Sequence, residues 1–172
     1  VATCALAFLV PTLGAANSSM SASNFLNHAA CQAPQYKQFD FWVGDWDAYD
    51  VGNTVVVARL KVDHFLDGCV LRELYKGADG HLGESLSIYD ASRKVWHQTW
   101  VTNRGELLVI EGGFKDGEMI LTGADRTADG RERRVRGIWK PEGAGVRETA
   151  VRSTDGGKTW KPWFDLIFRV HK

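Results

Sequence analysis

The sequence predicts an all-β protein, an antiparallel up-and-down meander closed into a barrel of eight to ten strands. Three observations predict it. Turn signals recur at intervals of eleven to fourteen residues from Asp67-Gly68 to Asp155-Gly156-Gly157. The runs between them alternate with a period of two. No segment after Phe39 keeps a helical period of useful length. Composition agrees, since seven Trp, eight Phe and eighteen Gly against four Pro in 172 residues suit an aromatic-cored, turn-rich chain. That length holds one domain with a substantial core. A meander with an apolar lining tends to close because closure removes its edges. A twisted open sheet or a sandwich is the alternative, and the even spacing gives no sign of Greek-key crossovers.

In chain order, residues 1–16, "VATCALAFLVPTLGAA", are apolar and uncharged and end in small residues. They read as a partial signal peptide, with Gly14 and Ala16 at the −3 and −1 positions of a cleavage site. The run before Pro11 is too short to span a bilayer, and a short hydrophobic helix is the alternative. Neither Cys4 nor Cys31 follows a lipoprotein-type run. The expected location is therefore periplasmic or secreted. Residues 17–38 form a polar, small-residue arm with a short helix near 21–30 as the one plausible helix. Residues 39–172 form the barrel domain. Once Cys4 leaves with the signal, Cys31 and Cys69 remain as an even pair in an oxidising compartment. Either they bridge, tying the arm to the barrel, or they are two buried thiols.

The hairpin signals begin at Asp67-Gly68 and continue through Asp79-Gly80, Asp116-Gly117 and Asp129-Gly130. Asp-Gly between patterned runs favours a two-residue turn, because both central residues need a positive φ. In "CVLRELYKG", Leu71, Glu73 and Tyr75 share one face and Arg72 and Lys76 the other. With the cations outside, Glu73 and Tyr75 point inward. The same choice in the next two strands turns Ser85, Ser87 and Tyr89 inward, followed by Trp96, Gln98 and Trp100. Arg136 and Arg147 are expected to meet that set across the barrel, since an interior carboxylate needs a partner to stay charged. The outcome is either an aromatic-lined cavity with a few polar groups, the profile of a small-molecule site, or a core filled by its own Trp rings.

"FDFWVGDWDAYD" (39–50) opens the barrel, and "FDLIFRVHK" closes it with Arg169. First and last strands of a closed meander are neighbours, so the Arg169 guanidinium is expected over the Trp46 ring. The Gly44-Asp45-Trp46 motif, the meander and the terminal Arg together resemble the calycin superfamily, the lipocalins and fatty-acid-binding proteins. The resemblance implies that Trp46 and Arg169 are structural posts. The chain is also similar to a group of exported bacterial proteins. That group carries "FDFWxGxW", a Gly-Cys strand (Gly68-Cys69 with Glu73), Ser85 with Tyr89-Asp90, Trp96-Gln98-Trp100 and a closing Asp155–Arg169 segment. This similarity implies fold and export and transfers no activity.

"STDGGKTW" (153–160) fits the Asp-box of sialidases, a turn-folding device that propellers repeat from blade to blade. Here it occurs once, in a chain too short for a propeller, so it is read as a hairpin clasp. The five histidines are scattered with no metal-ligand spacing,. No phosphate or dinucleotide fingerprint is present. No metal and no cofactor is therefore expected. A net charge of zero argues against nucleic acid or an anionic membrane as partner,. No transmembrane segment is expected in the mature chain.

The function expected is binding of a small apolar or aromatic molecule in the barrel. One alternative is a cofactor-independent isomerase or lyase with Glu73 as acid or base, assisted by Tyr75, Tyr89 or His97. The other is an interaction module without ligand.

Overall fold

The computed structural model describes residues 31–127 and 129–172. The segment read as a signal peptide and the helix expected near 21–30 lie outside the described residues. Ten strands follow one another: β1 Gly44–Asp50, β2 Val56–Phe65, β3 Val70–Gly77, β4 Leu82–Asp90, β5 Val95–Thr102, β6 Leu107–Lys115, β7 Glu118–Arg126, β8 Glu132–Glu142, β9 Gly145–Ser153 and β10 Lys161–Val170. Each pairs antiparallel with its chain neighbours, and β1 pairs with β10, so the sheet is a closed up-and-down barrel. The turn chemistry is visible at Asp116-Gly117, where φ is 53° and 85°. Both residues are left-handed, as a tight hairpin between the paired Lys115 and Glu118 requires,.

One end of the barrel is stoppered. Two 3₁₀ turns, Pro34–Lys37 and Asp40–Trp42, precede β1. They carry Phe39 and Trp42, both fully buried, into the barrel. There Phe39 stacks on Trp42 with centroids 4.9 Å apart and meets Trp96 and Trp139 edge-on. Gln38 Oε1 accepts a hydrogen bond of 3.1 Å from the Trp96 indole, and Trp46 Nε1 donates to the Trp42 carbonyl at 2.9 Å. Cys31 and Cys69 form a disulfide that fastens the arm to the β2–β3 turn at this end. The "FDFW" run is therefore a stopper of fused aromatic contacts, each pair adding roughly 0.5–1.5 kcal/mol beyond area burial.

Trp46 and Arg169 do not meet, contrary to the closing pair expected from the sequence. The register sets Asp47 opposite Arg169 and Ala48 opposite Phe168. Residues paired across a ladder share a face, so Arg169 is exposed with Asp47 on the outside while Ala48 and Phe168 are buried. The Arg169 guanidinium lies 4.7 Å from the Tyr49 ring centroid, on the outer surface. Trp46 points into the stopper, and the last strand contributes Phe168 to the core.

Candidate functional site

The stopper occupies one end of the barrel. Toward the other end, where the β3–β4, β5–β6, β7–β8 and β9–β10 turns lie, the interior opens into a cavity of about 610 Å³. That volume falls within the range of small-molecule sites. Of the alternatives drawn from the sequence, the aromatic core occupies one end and a cavity the other.

Alternation along β3, β4 and β5 builds the polar wall. Glu73, Ser85, Ser87 and Gln98 are buried, while their chain neighbours Leu74, Glu84, Leu86 and Ile88 are exposed. Glu73 is paired in register with Ser85, whose hydroxyl donates to Glu73 Oε2 at 2.8 Å. Gln98 is paired with Ser87 and donates to its hydroxyl at 3.0 Å. Glu73, Tyr75, Gln98 and Trp100 line the cavity, and Ser85 and Ser87 stand behind them as hydrogen-bond partners. Tyr75 meets Trp100 edge-on at 5.7 Å. Trp96 and Tyr89 also point inward but belong to the stopper side, where Tyr89 packs on Tyr36 at 5.3 Å and on Trp96.

The arginines expected to face Glu73 are outside the barrel. In β8 the inward row is Val135, Gly137 and Trp139, so Arg136 points out and its guanidinium lies 4.2 Å from the Trp160 ring centroid. In β9 Val146 and Ala150 are buried, so Arg147 points out and binds both oxygens of Asp165 at 2.8 and 2.7 Å. A one-residue change of parity moves a side chain to the other face, and these two positions have the outward parity.

Glu148, which the sequence reading missed, occupies the inward position of β9 and lines the cavity with Glu73. Among the described residues, neither carboxyl forms an ion pair with a cation. Burial pushes the Glu73 carboxyl up to about 7, and the Ser85 hydroxyl only partly opposes the rise. Burial also pushes Glu148 well above the usual carboxylate range, and the Glu73 charge adds to it. The indole N–H of Trp139, its register partner, opposes that rise without making a well-formed hydrogen bond. Burial raises the Tyr75 phenol as well, with both glutamates contributing. Two interacting carboxyls titrate as a pair, and burial of both favours their retaining a proton that can donate a hydrogen bond inside the cavity.

A second polar group rings the open end. Asp125, Arg133 and Arg152 take inward positions near the ends of β7, β8 and β9 and line the mouth. Arg133 Nε and Nη2 donate to the two oxygens of Asp125 at 2.8 and 2.6 Å. Arg152 Nη2 reaches the same carboxylate at 3.2 Å. The bulge at Trp163 in β10 lets that ring cover the Arg152 guanidinium, as bulges re-aim side chains. Beside the mouth, Asp155 folds the β9–β10 turn. It accepts from the Lys158 and Thr159 amides at 3.0 and 2.9 Å, while Trp160 Nε1 donates to the Gly157 carbonyl at 3.0 Å.

Among the described residues, no group of three His, Cys, Asp or Glu side chains is placed to hold a metal ion, and no helix is long and apolar enough to cross a membrane. The closed ten-stranded antiparallel barrel is compatible with a calycin-like fold. No protein-family model matches the chain, and no curated protein matches it.

Proposed function

We propose that this barrel is a calycin-like carrier that holds one small apolar or aromatic molecule in its cavity. The observation that carries the reading is the 610 Å³ cavity beside Glu73, stoppered at one end by Phe39 and Trp42. Its walls are rings and aliphatic chains, including Tyr75, Trp100, Trp139 and Phe164. Below the charged rim its polar groups are few and convergent, with Glu73, Gln98 and Glu148 among them, the combination that gives affinity through burial and orientation through hydrogen bonds. Such a ligand presents a hydrogen-bonding group to the glutamate pair. We read the site of action as the periplasm or the outside of the cell. The Cys31–Cys69 disulfide supports this, because such bonds persist in oxidising compartments.

Native mass spectrometry of the protein purified from the cells that make it, followed by gentle denaturation, tests the reading. Release of one small molecule per chain is the expected result. Glu73→Gln should then bind that molecule more weakly while keeping the far-ultraviolet spectrum of the barrel. A protein that is empty in every preparation and excludes uncharged aromatic dyes overturns the reading.

The raised Glu73 carboxyl favours a second reading, a cofactor-independent isomerase or lyase. A carboxyl poised at about 7 is matched to proton transfer at neutral pH, with Glu148 and Tyr75 facing the same space. Turnover of the released molecule, abolished in Glu73→Gln, would distinguish an enzyme from a carrier.

A further inference from the structure

Arg152 is the charged group of the cavity whose needs the fold leaves unmet. Its side chain is 24% exposed, and its Nε atom is buried with no hydrogen-bond partner among the described residues. Its one carboxylate, Asp125, is already engaged bidentately by Arg133, so two guanidinium groups share a single negative charge. Burial and the nearby Arg133 charge pull the Arg152 guanidinium down to about 10, and Asp125 and Glu106 compensate only in part. The other charged groups of the rim are Asp50, Glu106 and Arg126. Glu106 accepts from the Thr102 hydroxyl at 3.2 Å and lies 3.5 Å from His81 Nε2. Arg126 donates to the Gly130 carbonyl at 2.9 Å. The Asp125–Arg133–Arg152 cluster carries one more cation than carboxylate, and Asp50, Glu106 and Arg126 balance the rim as a whole.

We propose that the ligand is an organic monoanion whose charged group rests on Arg152 and Arg133 at the mouth. Its largely apolar body points inward, with an uncharged hydrogen-bonding group at the glutamate pair. This inference rests on the cavity reading above and specifies the ligand's charge and direction. The polarity of the interior sets the direction. The floor carries the Glu73–Glu148 pair, which offers an anion no cation, whereas the cluster at the rim sets two guanidinium groups on one carboxylate. Trp163 lies over the Arg152 guanidinium and shields it from water on one side, which strengthens a charge-assisted hydrogen bond. A carboxylate or sulfonate there would give the Arg152 Nε–H an acceptor and neutralise the cluster.

Two fluorescent probes that differ by one charge test the proposal: anilinonaphthalene sulfonate and its uncharged counterpart N-phenylnaphthylamine. Both are titrated into the folded full chain and into Arg152→Gln, Arg152→Lys and Asp125→Asn, each checked for barrel structure by circular dichroism. The wild-type chain should bind the sulfonate more tightly than the neutral probe. Arg152→Gln should weaken the sulfonate by about tenfold to a hundredfold, the usual size of one charge-assisted bond. The neutral probe should change less than about twofold, and Arg152→Lys should recover part of the difference. Asp125→Asn, which removes the competing carboxylate, should tighten sulfonate binding, a gain that damage to the fold does not produce. Neutral-probe binding with no preference for the sulfonate, or equal loss of both probes in Arg152→Gln, overturns the anion site and leaves the cavity reading standing. Failure of both probes to bind overturns both.

Discussion

Gly44 and Trp46 form one unit: a Cβ added to Gly44 would stand 2.5 Å from the Trp46 indole. The ring folds back over its own strand, and only a residue without a side chain leaves room. The same relation holds between Gly137 and Trp139, at 2.6 Å, and across neighbouring strands Trp100 of β5 takes the space above Gly83 of β4, at 2.1 Å. The Gly-x-Trp motif is thus a matter of volume, a seat for a ring.

Gly44→Ala should therefore lower the melting temperature, and Trp46→Ala should lower it more, since loss of a large buried ring removes about 3–5 kcal/mol of unfolding free energy. Arg169→Ala should change stability little, because its contact with Tyr49 is exposed and such contacts contribute roughly 0.5–1 kcal/mol. Thermal denaturation of the three variants checks the order. A loss for Arg169→Ala equal to that for Trp46→Ala would contradict the outward placement of Arg169.

Stability should fall as pH rises between about 4.5 and about 7. The folded Glu73 holds its proton up to about 7, whereas the unfolded residue releases it near its ordinary 4.5. In that window the native state binds more protons than the unfolded state, so raising the pH favours unfolding. Glu148 shifts in the same direction. A difference of that size corresponds to about 3 kcal/mol. Denaturant titrations from pH 4.5 to 8 should show the decline in the wild type and a flatter profile in Glu73→Gln. Parallel profiles would remove Glu73 as the source.

Reduction of the Cys31–Cys69 bridge, or Cys69→Ser, should destabilise the stoppered end first. The bridge spans 38 residues, which corresponds to about 3–4 kcal/mol in the loop-entropy account. Amide exchange should accelerate around Phe39 and Trp42 before the middle strands. Uniform acceleration across the barrel would show that arm and barrel unfold as one unit.

Asp155→Asn should loosen the β9–β10 turn while leaving the stopper intact. The Asp155 carboxylate accepts several bonds led by Thr159, which hold it well below the ordinary carboxylate range. Proteolysis at Gly156-Gly157 should become faster in the variant. An unchanged cleavage rate would show that Ser153 and Trp160 hold the turn by themselves.

The strands whose outer positions carry charge and whose inner positions carry rings or small hydroxyls were legible in the sequence. Arg72 and Lys76 fixed the face of β3, and the inward placement of Glu73, Tyr75, Gln98 and Trp100 followed strand by strand. The parity of β8 was also readable, since Val135, Gly137 and Trp139 alternate with Arg134, Arg136 and Lys140. Arg136 suits Glu73 by charge, but the parity of its strand places it on the outer face. In β9 the clue was weaker: Val146 and Ala150 mark the inner face, but Glu148 and Arg152 share it. Near the mouth inner positions are wet, so charged residues occupy both faces and the alternation fades. The bulge that brings Trp163 over Arg152 has no Gly or Pro of its own to announce it beyond Pro162.

The closure of the barrel by β1 and β10 has a kinetic consequence. Every other strand pair is a hairpin between chain neighbours, formed by closing a short loop, whereas Trp46 must find Val170 across nearly the whole domain. Loop-closure entropy makes such a pairing slow relative to local ones. The Cys31–Cys69 bridge joins the arm before β1 to the β2–β3 turn, so it barely shortens the interval from β1 to β10 that must be spanned. The nine hairpin contacts can therefore assemble as an open, curling sheet whose two unpaired edges remain sticky until the last strand arrives. Exposure to aggregation during folding should thus depend on how quickly β10 is delivered to β1, and the C-terminal strand, though peripheral in sequence, is the one whose late arrival governs the yield of closed barrels.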